Sequence, residues 1–199
     1  MRREKRKITG SIVLTTIIIC LLVTIIVVTF YNLVYENHIS VQSNVNGIRA
    51  YYISESAIDV LYNDINKVCE KAIEKYFEEL FNYKIYYINL EGGVDYCPPD
   101  FQNILKTNIL LNISSFNRTV NNPFSSYVHD HSYKITVDYV VSYNIIKADI
   151  IGRYLHARKP ITVEFDLPTE IFDGVDEFGL PKLKIKPLKL IKIYQNLTI

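Results

Sequence analysis

Met1-Arg2-Arg3-Glu4-Lys5-Arg6-Lys7-Ile8-Thr9-Gly10 leads directly into Ser11-Ile12-Val13-Leu14, and from Ser11 no charged side chain occurs until Glu36. This opening decides the fold. The segment 11–35 is rich in Ile, Val and Leu. As a helix, its 24 residues from Ser11 to Val34 would extend ~36 Å at ~1.5 Å per residue, more than the ~30 Å hydrocarbon core of a bilayer. Five basic residues and one acidic residue stand before it, which orients the N-terminus to the cytoplasm by the positive-inside bias. Everything after Tyr35 is then outside the cell membrane.

The run is longer than the ~7–15 apolar residues of a cleaved secretory signal. It ends in Leu33-Val34-Tyr35-Glu36, without a small-x-small site. Thr15, Thr16, Thr24 and Thr29 are compatible with lipid, because a helical threonine can bond its hydroxyl back to the chain. No second apolar stretch of this length follows. The expectation is a single-pass membrane protein with one external domain.

Of the formal charge of +1, residues 1–10 supply +4, which leaves −3 for the rest. The external part is therefore mildly acidic and gives no global reason to expect nucleic-acid binding. Tyrosine is abundant, at 16 residues, and tryptophan is absent. Cys20 falls in the apolar run, while Cys69 and Cys97 fall outside, where disulfides persist. A Cys69–Cys97 bridge is one reading, and two unrelated buried thiols is the other.

No proline precedes Pro98, so nothing forces the helix to stop where it leaves the lipid. Val41, Val45, Ile48, Tyr52, Ile58, Leu61, Ile65, Val68, Ala72, Tyr76 and Leu80 follow mostly at steps of three and four, one helix face. The spacing predicts one long helix from about Ser11 to about Phe81, with Gly47 as a place for a bend. Gly92-Gly93 and Pro98-Pro99 mark a loop. Residues 101–113 read as a short helix, with a strand over 109–113 as the alternative, and 114–130 read as polar and turn-rich. From Ser132 the period becomes two. Tyr133, Ile135, Val137, Tyr139 and Val141 alternate with polar residues, as do Ile161, Val163, Phe165 and Leu167. Residues 148–156 make a further strand, with a turn at Arg158-Lys159-Pro160. The class is α+β: a long N-terminal helix, transmembrane and then amphipathic, packed on a C-terminal antiparallel β-sheet. The divisions are 1–10 (leader), 11–35 (membrane helix), 36–81 (amphipathic continuation) and 82–199 (β-rich domain).

Basic residues, a glycine, and an uncharged helix beginning at once with Ser11-Ile12-Val13-Leu14 resemble a type IV prepilin N-terminus. Ala50-Tyr51-Tyr52-Ile53-Ser54-Glu55-Ser56-Ala57-Ile58 is similar to a segment of PilX-type minor pilins, especially the Gram-positive ones, with Ala50, Tyr51, Tyr52 and Glu55 as its marks. The motifs cover residues 1–62; beyond them the resemblance is one of architecture. It implies cleavage by a prepilin peptidase between Gly10 and Ser11, often with methylation of the new amine. It also implies other pilin subunits as partners, residence in the membrane, and a place in a cell-surface filament. Most pilins carry glutamate at the fifth mature position, and here that position is Thr15. A subunit without this carboxylate cannot pair it with a neighbour's N-terminal amine, so the resemblance implies a minor, priming or tip component. The alternative is an uncleaved, membrane-anchored binding module.

His129-Asp130-His131 reads as a solvated loop; the alternative, two imidazoles on one strand face for a metal, has no third ligand evident by spacing. Asp173, Asp176 and Glu177, with Gly174 and Gly179, offer oxygens to calcium but lack EF-hand spacing. Lys182, Lys184, Lys186, Lys189 and Lys192 read as a basic strand that guards a sheet edge, with an anionic polymer as the rarer reading. No phosphate loop, zinc spacing or nucleophile elbow occurs. The expectation is a non-enzyme without cofactor, metal or nucleic-acid partner.

Overall fold

The computed structural model describes the backbone of residues 2–89 and 96–195, and the side chains of 12–89 and 96–195. The Gly92-Gly93 loop and the surroundings of Gly10 and of the Ser11 side chain lie outside the described residues. Helix α1 runs Arg2–Asn89 and helix α2 runs Phe101–Phe116. Seven strands follow: β1 (Arg118–Asn121), β2 (His131–Val140), β3 (Ile145–Tyr154), β4 (Ala157–Asp166), β5 (Glu170–Val175), β6 (Pro181–Ile185) and β7 (Lys189–Tyr194). By its contacts the chain divides into two compact units, Met1–Val45 and Asn46–Ile199.

The second unit is an antiparallel sheet of order β1-β2-β3-β4-β7 with helices on one face. Strand alternation selects that face. Tyr133, Ile135 and Val137 of β2, Ile146, Ala148 and Ile150 of β3, and Ile161, Val163 and Phe165 of β4 are buried. Pairing aligns them in rows across the sheet: Ile135 with Ile150 and Ile161, and Val137 with Ala148 and Val163. The covering stripe on α1 is Ala50, Ile53, Ala57, Ile58, Leu61, Ile65, Cys69, Ala72, Tyr76 and Leu80. From Ile58 onward the 3.6-residue period expected from sequence locates this face; before it the phase differs. Ile48 and Tyr52 are exposed (55% and 54%), and Ala50, Ile53, Ser54 and Ala57 face the sheet instead.

Residues 101–116 are a single helix, so the strand alternative over 109–113 does not form. Asp100 caps it, its Oδ1 accepting from the backbone N–H of Gln102 (2.9 Å) and Asn103 (3.3 Å). Phe101, Leu105 and Ile109 then recur every fourth residue on the buried side. The polar stretch after it contains β1, which pairs with β2 from Arg118↔Ile135 to Asn121↔Ser132.

The turn expected at Arg158-Lys159-Pro160 lies instead at Leu155-His156. Arg158 pairs with Arg153 and Pro160 with Ile151, inside β4. Leu155 takes the left-handed conformation (φ 52°) that such a short reversal requires, and its N–H donates to the carbonyl of Asp130 at 2.9 Å. Proline is tolerated in β4 because pairing with β7 starts only at Thr162, so no further strand calls on Pro160 for an N–H. The lysine run is not one strand either. Lys182 and Lys184 lie on β6, which pairs only with β5, and Lys189 and Lys192 lie on the edge strand β7.

Candidate functional site: an uncovered apolar helix and a seam of small residues

Between Ile12 and Val34, 17 large apolar side chains are each 49–70% exposed, around every side of the helix. A helix that is apolar all round belongs in a core or a bilayer. At roughly 1 kcal/mol for each half-exposed chain, water around this segment would cost on the order of 17 kcal/mol. Its polar hydroxyls are already paired within the helix: Thr16, Thr24 and Thr29 donate to the carbonyls of Ile12, Cys20 and Ile25 at 2.8–2.9 Å. Among the described residues this is the one helix long and apolar enough to cross a membrane.

The Ala50–Ile58 stretch divides between two roles. Ala50, Ile53, Ser54 and Ala57 are buried, while Tyr52 and Glu55 are exposed and Tyr51 is half-buried. Opposite them stands Gly152 of β3. A Cβ at Gly152 would run into the carbonyl oxygen of Ala50 and both the nitrogen and the Oγ of Ser54. The helix lies directly against the strand there. Ser54 Oγ accepts from Gly152 N–H at 2.7 Å and donates to the Lys159 carbonyl at 2.6 Å. Gly152 and Lys159 are cross-strand partners, so one helical hydroxyl bridges β3 and β4. The contact needs a glycine in a strand and a short hydroxylated side chain in the helix.

The cysteines do not meet. Cys20, Cys69 and Cys97 are free thiols; Cys69 is buried and Cys97 exposed. Cys69 lies on the sheet-facing stripe, whereas the Cys97 backbone N–H donates to Tyr83 Oη at 2.6 Å. Tyr83 is 14 residues past Cys69 on the same helix, about 21 Å along its axis, beyond the reach of a disulfide. Burial, and then the charge of Glu70, push the Cys69 thiol up to about 12.

The other sequence candidates are engaged structurally. His131 is buried; its Nε2 accepts from the Phe124 N–H (3.1 Å), and its Nδ1 lies 2.9 Å from the His129 carbonyl. With Nε2 accepting, Nδ1 carries the proton and donates to that carbonyl, so both ring nitrogens are used. Asp176 closes the β5–β6 turn. Its Oδ1 accepts from the N–H of Phe178 (3.1 Å) and Leu180 (2.9 Å), and its Oδ2 meets Lys84 Nζ at 2.7 Å. The Asp176 carboxylate is therefore engaged by an ammonium and two backbone N–H groups. Among the described residues no three His, Cys, Asp or Glu side chains converge on a metal position.

A second apolar surface was not read from the sequence. Toward its end α1 is apolar on the outer side too, with Phe77, Phe81, Ile85 and Ile88 exposed at helical steps of four, four and three. Phe172 and Val175 of β5 and Phe178 of the following turn are also exposed, at 63–64%. The hairpin is tied to α1 by Lys84–Asp176 and by Tyr76 Oη, which donates to Glu170 at 3.1 Å. The signal was present in the sequence as four large apolar residues off the core phase. No protein-family model, curated protein or solved structure matches the chain.

Proposed function

We propose that this chain is a minor, pilin-like structural subunit of a type IV pilus or a related filament, at a priming or tip position. The observation that carries the reading is the apolar helix Ile12–Val34, uncovered on all sides. It follows a short basic leader that ends in Gly10 before Ser11. Such a helix is stored in lipid with its N-terminus in the cytoplasm and the sheet unit outside. After the leader is removed it exchanges lipid for a bundle of like helices. Both surroundings are apolar, so the exchange need not expose it to water. Thr15, standing where a fibre-forming subunit places a carboxylate, favours a subunit used in few copies. The exposed Phe77–Ile88 face and the β5–β6 hairpin supply apolar surface of the kind that marks contacts with neighbours.

The second reading, a permanently tethered binding module, uses the same anchor without processing. Intact mass spectrometry of the protein purified from its own cells separates the two. A chain beginning at Ser11 is the expected result. A chain retaining Arg2 and Arg3, in cells that process other prepilins, leaves only the tethered module.

A further inference from the structure

We propose that the end of the sheet unit nearest Asn46 binds the phosphate of an anionic lipid headgroup, docking this unit on the bilayer that holds the apolar helix. The inference rests on the membrane-anchor reading above.

Three features of this end point to a phosphate. The first is uncompensated positive charge. Arg153 and Arg158 are direct cross-strand partners at the β3–β4 tip, an arrangement in which like charges repel. Lys159 follows Arg158, and its Cε lies 3.6 Å from where a Cβ on Gly47 would stand. Arg49 is two residues further along α1. Among the described residues no carboxylate is within ion-pair distance of any of these four. Asp130 lines a separate cleft with Arg153, whose Nε donates to the Leu155 carbonyl at 2.8 Å, and the Asp130 carbonyl accepts from Leu155 N–H. Two arginines set opposite each other with no ion pair to either suit an external anion.

The second feature is a formed recess. A cavity of about 290 Å³ is lined by Arg49, Ser126, Tyr127, Val128, His129 and Tyr154. The Arg49 guanidinium is held in place: it donates to Tyr154 Oη at 2.8 Å, and its carbon lies 5.0 Å from the centre of the Tyr154 ring. Tyr154 is itself packed edge-on by Tyr127 at 5.4 Å. A guanidinium so fixed keeps further N–H groups for an oxyanion, and Ser126 lines the same recess.

The third feature is an apolar tip beside the charge. Val128 is 94% exposed at the rim of that recess, and Ile48, next to Arg49, is 55% exposed. Apolar side chains set among arginines and lysines are what a surface needs to sit at the boundary between headgroups and acyl chains. The tether is short. Glu36–Val45, ten residues of α1, separate the apolar run from this unit in the chain. In a filament subunit, this contact would have to be released when the helix leaves the lipid, so anionic headgroups would favour the stored state over the assembled one.

The test uses the full chain reconstituted into vesicles of phosphatidylcholine alone or mixed with phosphatidylglycerol. Val128→Cys, in a Cys20→Ala, Cys97→Ser background, carries an environment-sensitive fluorophore, and a headgroup-labelled lipid serves as quencher. Strong quenching in the phosphatidylglycerol vesicles, weak quenching in phosphatidylcholine, and weakening with salt are expected. Arg158→Gln and Arg49→Gln should each lower the docked-to-undocked ratio about fivefold, from ~1 kcal/mol per basic residue near such a surface. Both residues are exposed, and an unchanged melting temperature shows that the variants remain folded. Equal quenching in the two lipids overturns the proposal. So does its abolition by a soluble glycerol-phosphate polymer at matched phosphate, which would assign the site to a wall polymer. Failure of the chain to float with either vesicle after an alkaline wash would instead remove the membrane anchor, and the proposal with it.

Discussion

Replacing Gly152 with alanine perturbs the closest approach in the fold. The added Cβ would collide with the Ala50 carbonyl and with Ser54 N and Oγ. Two of those three atoms are helix backbone, so no flexible side chain can swing away, and α1 must lift from β3. Overpacking of this kind costs about 1–3 kcal/mol. Lifting also lengthens the two bonds through Ser54 Oγ, 2.7 Å from Gly152 N and 2.6 Å from Lys159 O. Buried groups that lose a partner cost about 1–3 kcal/mol. A loss of about 2–4 kcal/mol results, because part of the second cost is relieved by the same movement. For a domain of this size that lowers Tm by roughly 4–16 °C. Thermal unfolding of the full chain in detergent, followed by far-ultraviolet circular dichroism, measures it. Ser54→Ala removes the bridge without adding bulk and should cost less than Gly152→Ala. The double variant should fall short of the sum, since both changes act on one contact. A Gly152→Ala protein melting within a degree of the parent would refute the reasoning.

Further expectations concern other parts of the chain. Leu22→Lys places a charge at the middle of the apolar run at a cost of about 2.5–3.5 kcal/mol. The fraction of chain resisting alkaline extraction from membranes should fall; undiminished retention contradicts the anchor. In the folded protein iodoacetamide should modify Cys97, which is exposed, and spare Cys69, which is buried with its thiol raised to about 12; mass mapping would detect the reverse. The Asp176 carboxyl is held below its ordinary 3.8, first by the hydrogen bond from Lys84 and then by the N–H groups of Leu180 and Phe178. A depressed carboxylate stabilises the fold above its unfolded-state value, and that stability disappears as pH falls through the folded-state value. Asp176→Asn should therefore melt lower than the parent at pH 7, and the gap should narrow as the pH falls below the ordinary carboxylate range. A constant gap across that range would exclude this ionic role.

The long helix, the two-residue alternation of β2 and β4, and the packing of one on the other were legible in the sequence because large apolar residues recur at the periods of the elements. The phase over 48–57 was not. Close approach selects small residues, and a search for large ones chose Ile48 and Tyr52 over Ala50, Ser54 and Ala57. The lone glycine in β3 opposite that small-residue series was the available signal. Arg158-Lys159-Pro160 looked like a turn because proline usually marks one, whereas the actual reversal uses Leu155 at positive φ, which side-chain type does not announce. The Cys69–Cys97 alternative failed on distance along the helix, which follows from where Tyr83 holds the loop. The basic recess at Arg49 was invisible beforehand, since it gathers residues from α1, the β1–β2 loop and β3.

Photo-crosslinking from Leu22 in native cells bears most directly on the claim that one apolar helix serves lipid first and a helix bundle later. In cells making filaments, a photoreactive residue at position 22 should yield lipid adducts in the membrane fraction and adducts to the helices of other subunits in the sheared extracellular fraction. Lipid adducts alone, with all of the chain retained in the membrane, would contradict it.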